Sequence, residues 1–264
     1  MRLVSRAVWS LVGALACLGA VANAAGVLDM GVVFPRQNET YAPMERFPFV
    51  FALQNAQLAE HLKPLITFDV LNGSSDIVNG REFDLKWANY TNYTTEPYLL
   101  YAFMDFNIEG PLTLRLDAGW RQCDMSGEEV RSGNNKSRLW VDFNIREGAQ
   151  KADLVTATAE EEQCPAQVGV AIKVTDETHD VLFRNRGNCS VVDYSSPSPV
   201  SNPCRVRIDK AAVESAEAKE LDRRCRRLNP PADCQEEGRA LQQLAVAGGA
   251  TFAAVLAAIA FLLA

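Results

Sequence analysis

Histidine is nearly absent from this 264-residue chain, which holds two, His61 and His179. Neither C-x-x-C nor H-E-x-x-H occurs, which argues against zinc, a metal held by clustered Cys and His. G-x-S-x-G and G-x-x-x-x-G-K-[ST] are missing too, removing the nucleophile elbow and the phosphate-cradling loop. No metal and no cofactor are therefore expected. Positive charge is also scarce: 26 Lys and Arg face 33 Asp and Glu, a formal charge of -7. Such a chain offers no electrostatic footprint for nucleic acid. Its one basic cluster, "RRCRR" at 223–227, reads as a solvated helix face. No internal repeat is visible.

Acidic side chains are plentiful, and a pair of carboxylates could in principle hydrolyse a glycoside. Asp117 and Asp124 near Trp120, with Glu128 and Glu129, come closest. In so acidic a chain these are expected to be solvated loop charges, and His179, in "TDETHDV", is expected to face water. Catalytic residues are therefore none, and an extracellular hydrolase using acidic residues is kept only as the alternative function.

The two ends carry the strongest signals. "MRLVSRAVWSLVGALACLGAVANA" opens on Arg2 and Arg6, runs apolar and reaches Ala22-Asn23-Ala24, the order of a secretory signal peptide over residues 1–24. Its removal takes two positive charges, Arg2 and Arg6, from the formal -7, leaving -9. At the other end, Phe252 to Ala264 would make a helix of about 20 Å, short of the about 30 Å of a hydrocarbon core. No Lys or Arg follows it. Small residues at Gly238 and Ala240, a spacer to Thr251 and the tail from Phe252 match a glycosylphosphatidylinositol signal, with Gly238 as lipid attachment site. Residues 238–264 are read as that signal, a tail-end transmembrane span being the alternative.

Cys17 would leave with the signal peptide. The other cysteines, Cys123, Cys164, Cys189, Cys204, Cys225 and Cys234, read as three disulfides of an exported chain. Cys225 with Cys234 closes a short loop and is the first pair expected; sequence proximity alone would then join Cys123 to Cys164 and Cys189 to Cys204. The N-x-S/T pattern occurs at Asn38, Asn72, Asn89, Asn92, Asn135 and Asn188, an excess that fits an N-glycosylated protein. Asn188, whose motif runs through Cys189, is the site least expected to be modified.

Between the ends, alternating segments rich in β-branched and aromatic residues predict strands at 26–34, 47–54, 65–71, 82–88, 98–106, 112–120 and 138–145. "LTLRLDAGW" puts Leu112, Leu114 and Leu116 on one face and Thr113, Arg115 and Asp117 on the other, a sheet with one wet side. "LAEHLKPL" predicts a helical turn or two. The expected fold is mainly β, an antiparallel immunoglobulin-like β-sandwich over 25–148 with a C-terminal α-helix. Further short strands fall at 168–174, 181–185 and 189–194, within a stretch 149–194 that extends this domain or stands beside it. Residues 195–237 read as a Pro/Ser connector and a disulfide-linked helix that Asp209 caps, with a stripe of Val213, Ala216, Leu221, Cys225 and Leu228.

Trp87, Tyr90, Tyr93, Tyr98 and Tyr101 crowd one segment. They read either as cross-strand packing or as a glycan-stacking platform, centred on Trp87, Tyr90 and Tyr93.

"GVLDMGVVFPRQNETYAP", "PFVFALQNAQLA", "DLKWANY", "GW" with a nearby cysteine, and "NPCRVRIDKAA" before the last helix carry a resemblance. Together they resemble a group of exported proteins of filamentous ascomycete fungi, grouped as a domain of unknown function. The likeness spans residues 26 to 235 and includes the apolar tail. It implies a fungal cell-surface glycoprotein, nothing finer, and brings no catalytic residues. From the signal peptide and the anchor signal, the expected location is the outer face of the plasma membrane or the cell wall. The expected partners are the membrane, through the C-terminal anchor, and cell-wall polysaccharide; the expected role is structural or glycan-binding.

Overall fold

The structure is a computed structural model that describes residues 26–73, 76–86, 88, 96–106, 108–160, 164, 167–181, 187–231 and 234. Among the described residues, ten strands form two five-stranded sheets. The first sheet has the order β10-β9-β1-β3-β6, from Gly187–Val192, Gly169–Val181, Gly26–Phe34, Met44–Gln54 and Tyr98–Phe106. The second has the order β2-β8-β7-β4-β5, from Thr40–Tyr41, Arg131–Ile145, Gly110–Asp124, Leu65–Asn72 and Asp76–Asp84. The pairs are antiparallel except β2 on β8, a two-residue parallel graft. The molecule is thus mainly β, with a C-terminal helix.

Aromatic rings from the two sheets meet in the middle. Phe47, Phe49 and Phe51 alternate along β3 and are fully buried. Phe49 and Phe51 lie 5.4 and 4.8 Å from the Phe68 ring of β4, and Phe47 stacks on Phe143 of β8 at 5.6 Å. Each buried phenylalanine contributes about 2 kcal/mol from apolar area alone, so this file of rings holds the sheets face to face. On the facing strand β7, Leu112, Leu114, Leu116 and Ala118 are buried while Thr113, Arg115 and Asp117 are not. The expected wet side is present.

The predicted strands at 26–34 and 98–106 are found with those bounds. Others are longer. β8 begins at Arg131 and pairs with β7 as far as Asp124↔Arg131, so "RSGNN" is strand, not turn. The turn expected at "LAEHLKPL" is a 3-10 turn over Ala56–Leu58 followed by α1, Ala59–Leu62. A second short helix, α2 (Leu154–Ala157), is capped by the Asp153 carboxylate. β9 and β10 join the first sheet through β9 on β1.

The Pro/Ser stretch after β10 is no free connector. It crosses the outward side of β1, where Asp29 accepts hydrogen bonds from the Ser201 hydroxyl and, at 2.7 Å, from the Asn202 amide. Gln54 donates to Asn202 O at 2.9 Å. Pro203 packs so near Gly31 that a Cβ there would sit 2.7 Å from Pro203 Cβ. Ser201, Pro203 and Cys204 are buried. This strap covers the outward side of β1 at Asp29 and Gly31.

All three disulfides are present, and two pair differently from the proximity expectation. Cys225 joins Cys234 as expected. Cys123, however, joins Cys189, and Cys164 joins Cys204. The reason is sheet geometry: the end of β7 lies against β10, so Cys123, Cys189 and Val181 share one buried cluster. Three disulfides point to an extracellular or secreted protein. Among the described residues no helix is long and apolar enough to cross a membrane.

The chain divides into compact units after Arg207. The second unit contains α3, Lys210–Cys225. Asp209 caps it by accepting from Ala212 N at 2.7 Å, and Arg223 and Arg224 lie in its last turn, as expected. The apolar stripe is thinner than expected: Leu228 falls beyond the helix and is fully exposed, Ala216 is its one buried member, and the other buried residue of the helix is Glu220. Arg223 grips the Glu220 carboxylate with Nε at 2.8 Å and Nη2 at 2.5 Å.

Candidate functional site

The outward side chains of the β2-β8-β7-β4-β5 sheet fall into rows set by strand register. One row runs Gly80, Asp69, Arg115, Trp140; the next runs Glu82, Thr67, Asp117, Arg138. Alternation aims them outward, since Trp140 lies between Arg138 and Asp142 and out of phase with buried Val141 and Phe143.

These rows are braced by charge. Arg115 Nη2 is 2.5 Å from Asp69 Oδ2. Arg138 holds both Asp117 oxygens, at 2.7 and 2.9 Å. The Thr113 hydroxyl donates to Asp142 at 2.7 Å. Exposed pairs of this kind add little stability; their larger effect is to fix donors and acceptors in place. Among them Trp140 is 46% exposed. At the far end of its row Gly80 adds no side chain, and a Cβ there would collide with Asp69 Oδ1. The result is one wet aromatic plane framed by ordered polar groups. Such a plane suits a ring with an apolar C–H face and hydroxyls around its edge.

The carboxylates singled out for hydrolysis are placed otherwise. The Arg138 hydrogen bond holds the Asp117 carboxyl below the usual range. The Ser126 hydroxyl and amide do the same for Asp124, which shapes the β7–β8 turn. A glycosidase acid needs its pKa raised, the opposite direction. Glu128 and Glu129 are exposed in that turn. His179 Nε2 lies 2.8 Å from Glu177 Oε1 on β9. No group of three or more His, Cys, Asp or Glu among the described residues is arranged to hold a metal.

Of the glycosylation motifs, Asn38, Asn135 and Asn188 are exposed and Asn72 is half-buried. Asn38 sits in the β1–β2 turn with φ of 63°. Asn135 donates through Nδ2 to the Tyr194 hydroxyl at 2.9 Å. Asn89 and Asn92, the platform residues Trp87, Tyr90 and Tyr93, the leader, and Gly238 with the tail all lie outside the described residues. Two exposed aromatics that sequence reasoning missed are Trp140 and Tyr194; Trp140 is the one on the outer face of this sheet. The signal for Trp140 was available: in "RLWVDFNI" the tryptophan shares phase with Arg138 and Asp142, not with the apolar set.

No curated protein matches the chain, and no solved structure matches it. One family model does: described as a domain of unknown function (DUF7136), it matches residues 23–234, most of the 264-residue chain, and the protein belongs to that family.

Proposed function

We propose that the protein is a fungal cell-surface glycoprotein that binds wall polysaccharide on the outer face of the β2-β8-β7-β4-β5 sheet. The observation that carries this reading is Trp140, an indole left in water among ion pairs that immobilise their partners. Leaving so large an apolar group exposed forgoes about 2 kcal/mol or more of burial, which a ligand stacked on it recovers. Flat, hydroxyl-rich polymers have the matching shape. The signal sequence, the glycosylation motifs and the anchor signal support placement outside the cell, with the chain tethered by lipid at the plasma membrane or in the wall. The hydrolase alternative needs one carboxyl with a raised pKa as its acid, and Asp117 and Asp124 are both shifted the other way.

The test is retention of the purified, disulfide-intact protein on insoluble wall glucan, chitin and a glycan array, with released sugar measured in parallel. Retention without product supports binding; turnover would favour the hydrolase. Neither would leave the structural role. Release from intact cells by a phosphatidylinositol-specific phospholipase tests the lipid tether separately.

A further inference from the structure

Arg36 follows β1 and is 5% exposed, yet no carboxylate among the described residues pairs with its guanidinium. Its Nη1 points at the Cys164 sulfur, already spent in a disulfide, and its Nη2 donates to Ala157 O at 3.1 Å. Its Nε is buried without a partner. A buried charge lacking a counter-charge costs several kcal/mol. Proteins rarely leave one so unless something else completes it. Burial pulls the Arg36 pKa down, and a second cation, Arg207, is close enough to pull it further. Arg207 spends its own Nη1 on the carbonyls of Cys204 and Val206, at 2.8 and 3.4 Å.

Arg36 lines a cleft of about 360 Å³ together with Tyr41, Lys151, Thr156, Glu39 and Asp153. Asp153 cannot answer the cation, because its carboxylate caps α2, accepting from Val155 N, Thr156 N and the Thr156 hydroxyl. Glu39 is exposed. Burial keeps the Tyr41 phenol protonated, and its oxygen accepts from Arg36 N at 3.0 Å. Ala42 N bonded to Gln150 O at 2.8 Å ties the two walls together.

We propose that this cleft binds an oxyanion, with the Arg36 fork as its main donor and Lys151 as a second cation. A guanidinium fork matches carboxylate, sulfate and phosphate oxygens two at a time, a geometry that an ammonium cannot copy. The anion is either a free ion or a uronate or phosphate group on a polysaccharide. This site is separate from the Trp140 face, so either can fail without the other.

The experiment titrates the purified, disulfide-intact protein with inorganic phosphate, sulfate and glucuronate, against chloride at equal ionic strength. Melting temperature and heat of binding are both recorded. Saturable stabilisation is expected, weakened about tenfold, or about 1.4 kcal/mol, by Lys151→Ala and abolished by Arg36→Lys, which keeps the charge and loses the fork. A stronger response to glucuronate marks a polysaccharide-borne carboxylate; a stronger response to phosphate or sulfate marks a tetrahedral anion. If Arg36→Lys does not fold, Lys151→Ala and the wild-type titration still decide. A shift that follows ionic strength alone, one equal in wild type and Lys151→Ala, or none at all overturns the proposal.

Discussion

Cys123 at the end of β7 is bonded to Cys189 on β10, so a single disulfide ties one sheet of the sandwich to the other across 66 residues of sequence. Cys164 and Cys204, 40 residues apart, fasten the strap over β1. Cys225 and Cys234, nine apart, close a loop within the last unit.

These spans rank the bonds. In the chain-entropy picture the 66-residue link stabilises by about 4 kcal/mol and the nine-residue link by about 2.5 kcal/mol. The double variant Cys123→Ser/Cys189→Ser should therefore melt well below Cys225→Ser/Cys234→Ser. Non-reducing peptide mapping should recover the Cys123–Cys189 and Cys164–Cys204 peptides. Recovery of Cys123 linked to Cys164 would refute this arrangement.

Asp29 anchors the strap and should make stability pH-dependent. Burial raises its pKa above the ordinary 3.8, outweighing the hydrogen bonds from Ser201 and Asn202 that lower it. A raised carboxyl contributes stability fully below 3.8 and loses it as pH rises through the folded value. Asp29→Asn, which keeps the shape, should gain on wild type as pH climbs from 3.8 through the raised folded value, and the difference should level off above it. Asp193 has the opposite sign. The Lys173 contact holds it down to about 2, so its contribution is present above 3.8 and is lost as pH falls towards 2. Thermal melts across pH, with carboxyl titration followed by NMR, check both signs; parallel curves for wild type and Asp29→Asn would refute the first.

Gly80 faces Asp69 across the β4–β5 pair. An alanine methyl there would collide with the carboxylate and sit 3.1 Å from Phe68 O. Gly80→Ala should push Asp69 off Arg115 and cost about 1–3 kcal/mol, as overpacking does. In an Asp69→Ala background the same change should cost less, so the two variants should be non-additive. Additive costs would mean that the glycine keeps no room for the Asp69–Arg115 pair.

Much of this fold was legible locally. Alternation alone located β1, β6 and the wet face of β7, because a period of two is written into neighbouring residues. What escaped is what long-range contact decides. Ser195 to Pro203 looked like a linker since Pro and Ser dominate it, but Asp29 and Gly31, over 160 residues earlier, supply its partners. "RSGNN" carries turn residues, yet pairing with β7 holds it as strand. The disulfide partners follow from how the sheets meet, which sequence spacing does not record. On the candidate site, the platform residues Trp87, Tyr90 and Tyr93 lie outside the described residues, while Trp140 is marked in the sequence by sharing phase with the charged Arg138 and Asp142.

The most direct measurement is a binding titration of wild type and Trp140→Ala with soluble wall-type glucan and chitin oligosaccharides. Melting temperature is recorded beside affinity. Wild type should bind saturably, and loss of the indole should weaken binding about tenfold or more, equivalent to at least about 1.4 kcal/mol, with the melting temperature unchanged. Equal affinity in the two proteins, or no saturable binding by wild type to any wall polymer, would contradict a glycan-binding role for this face.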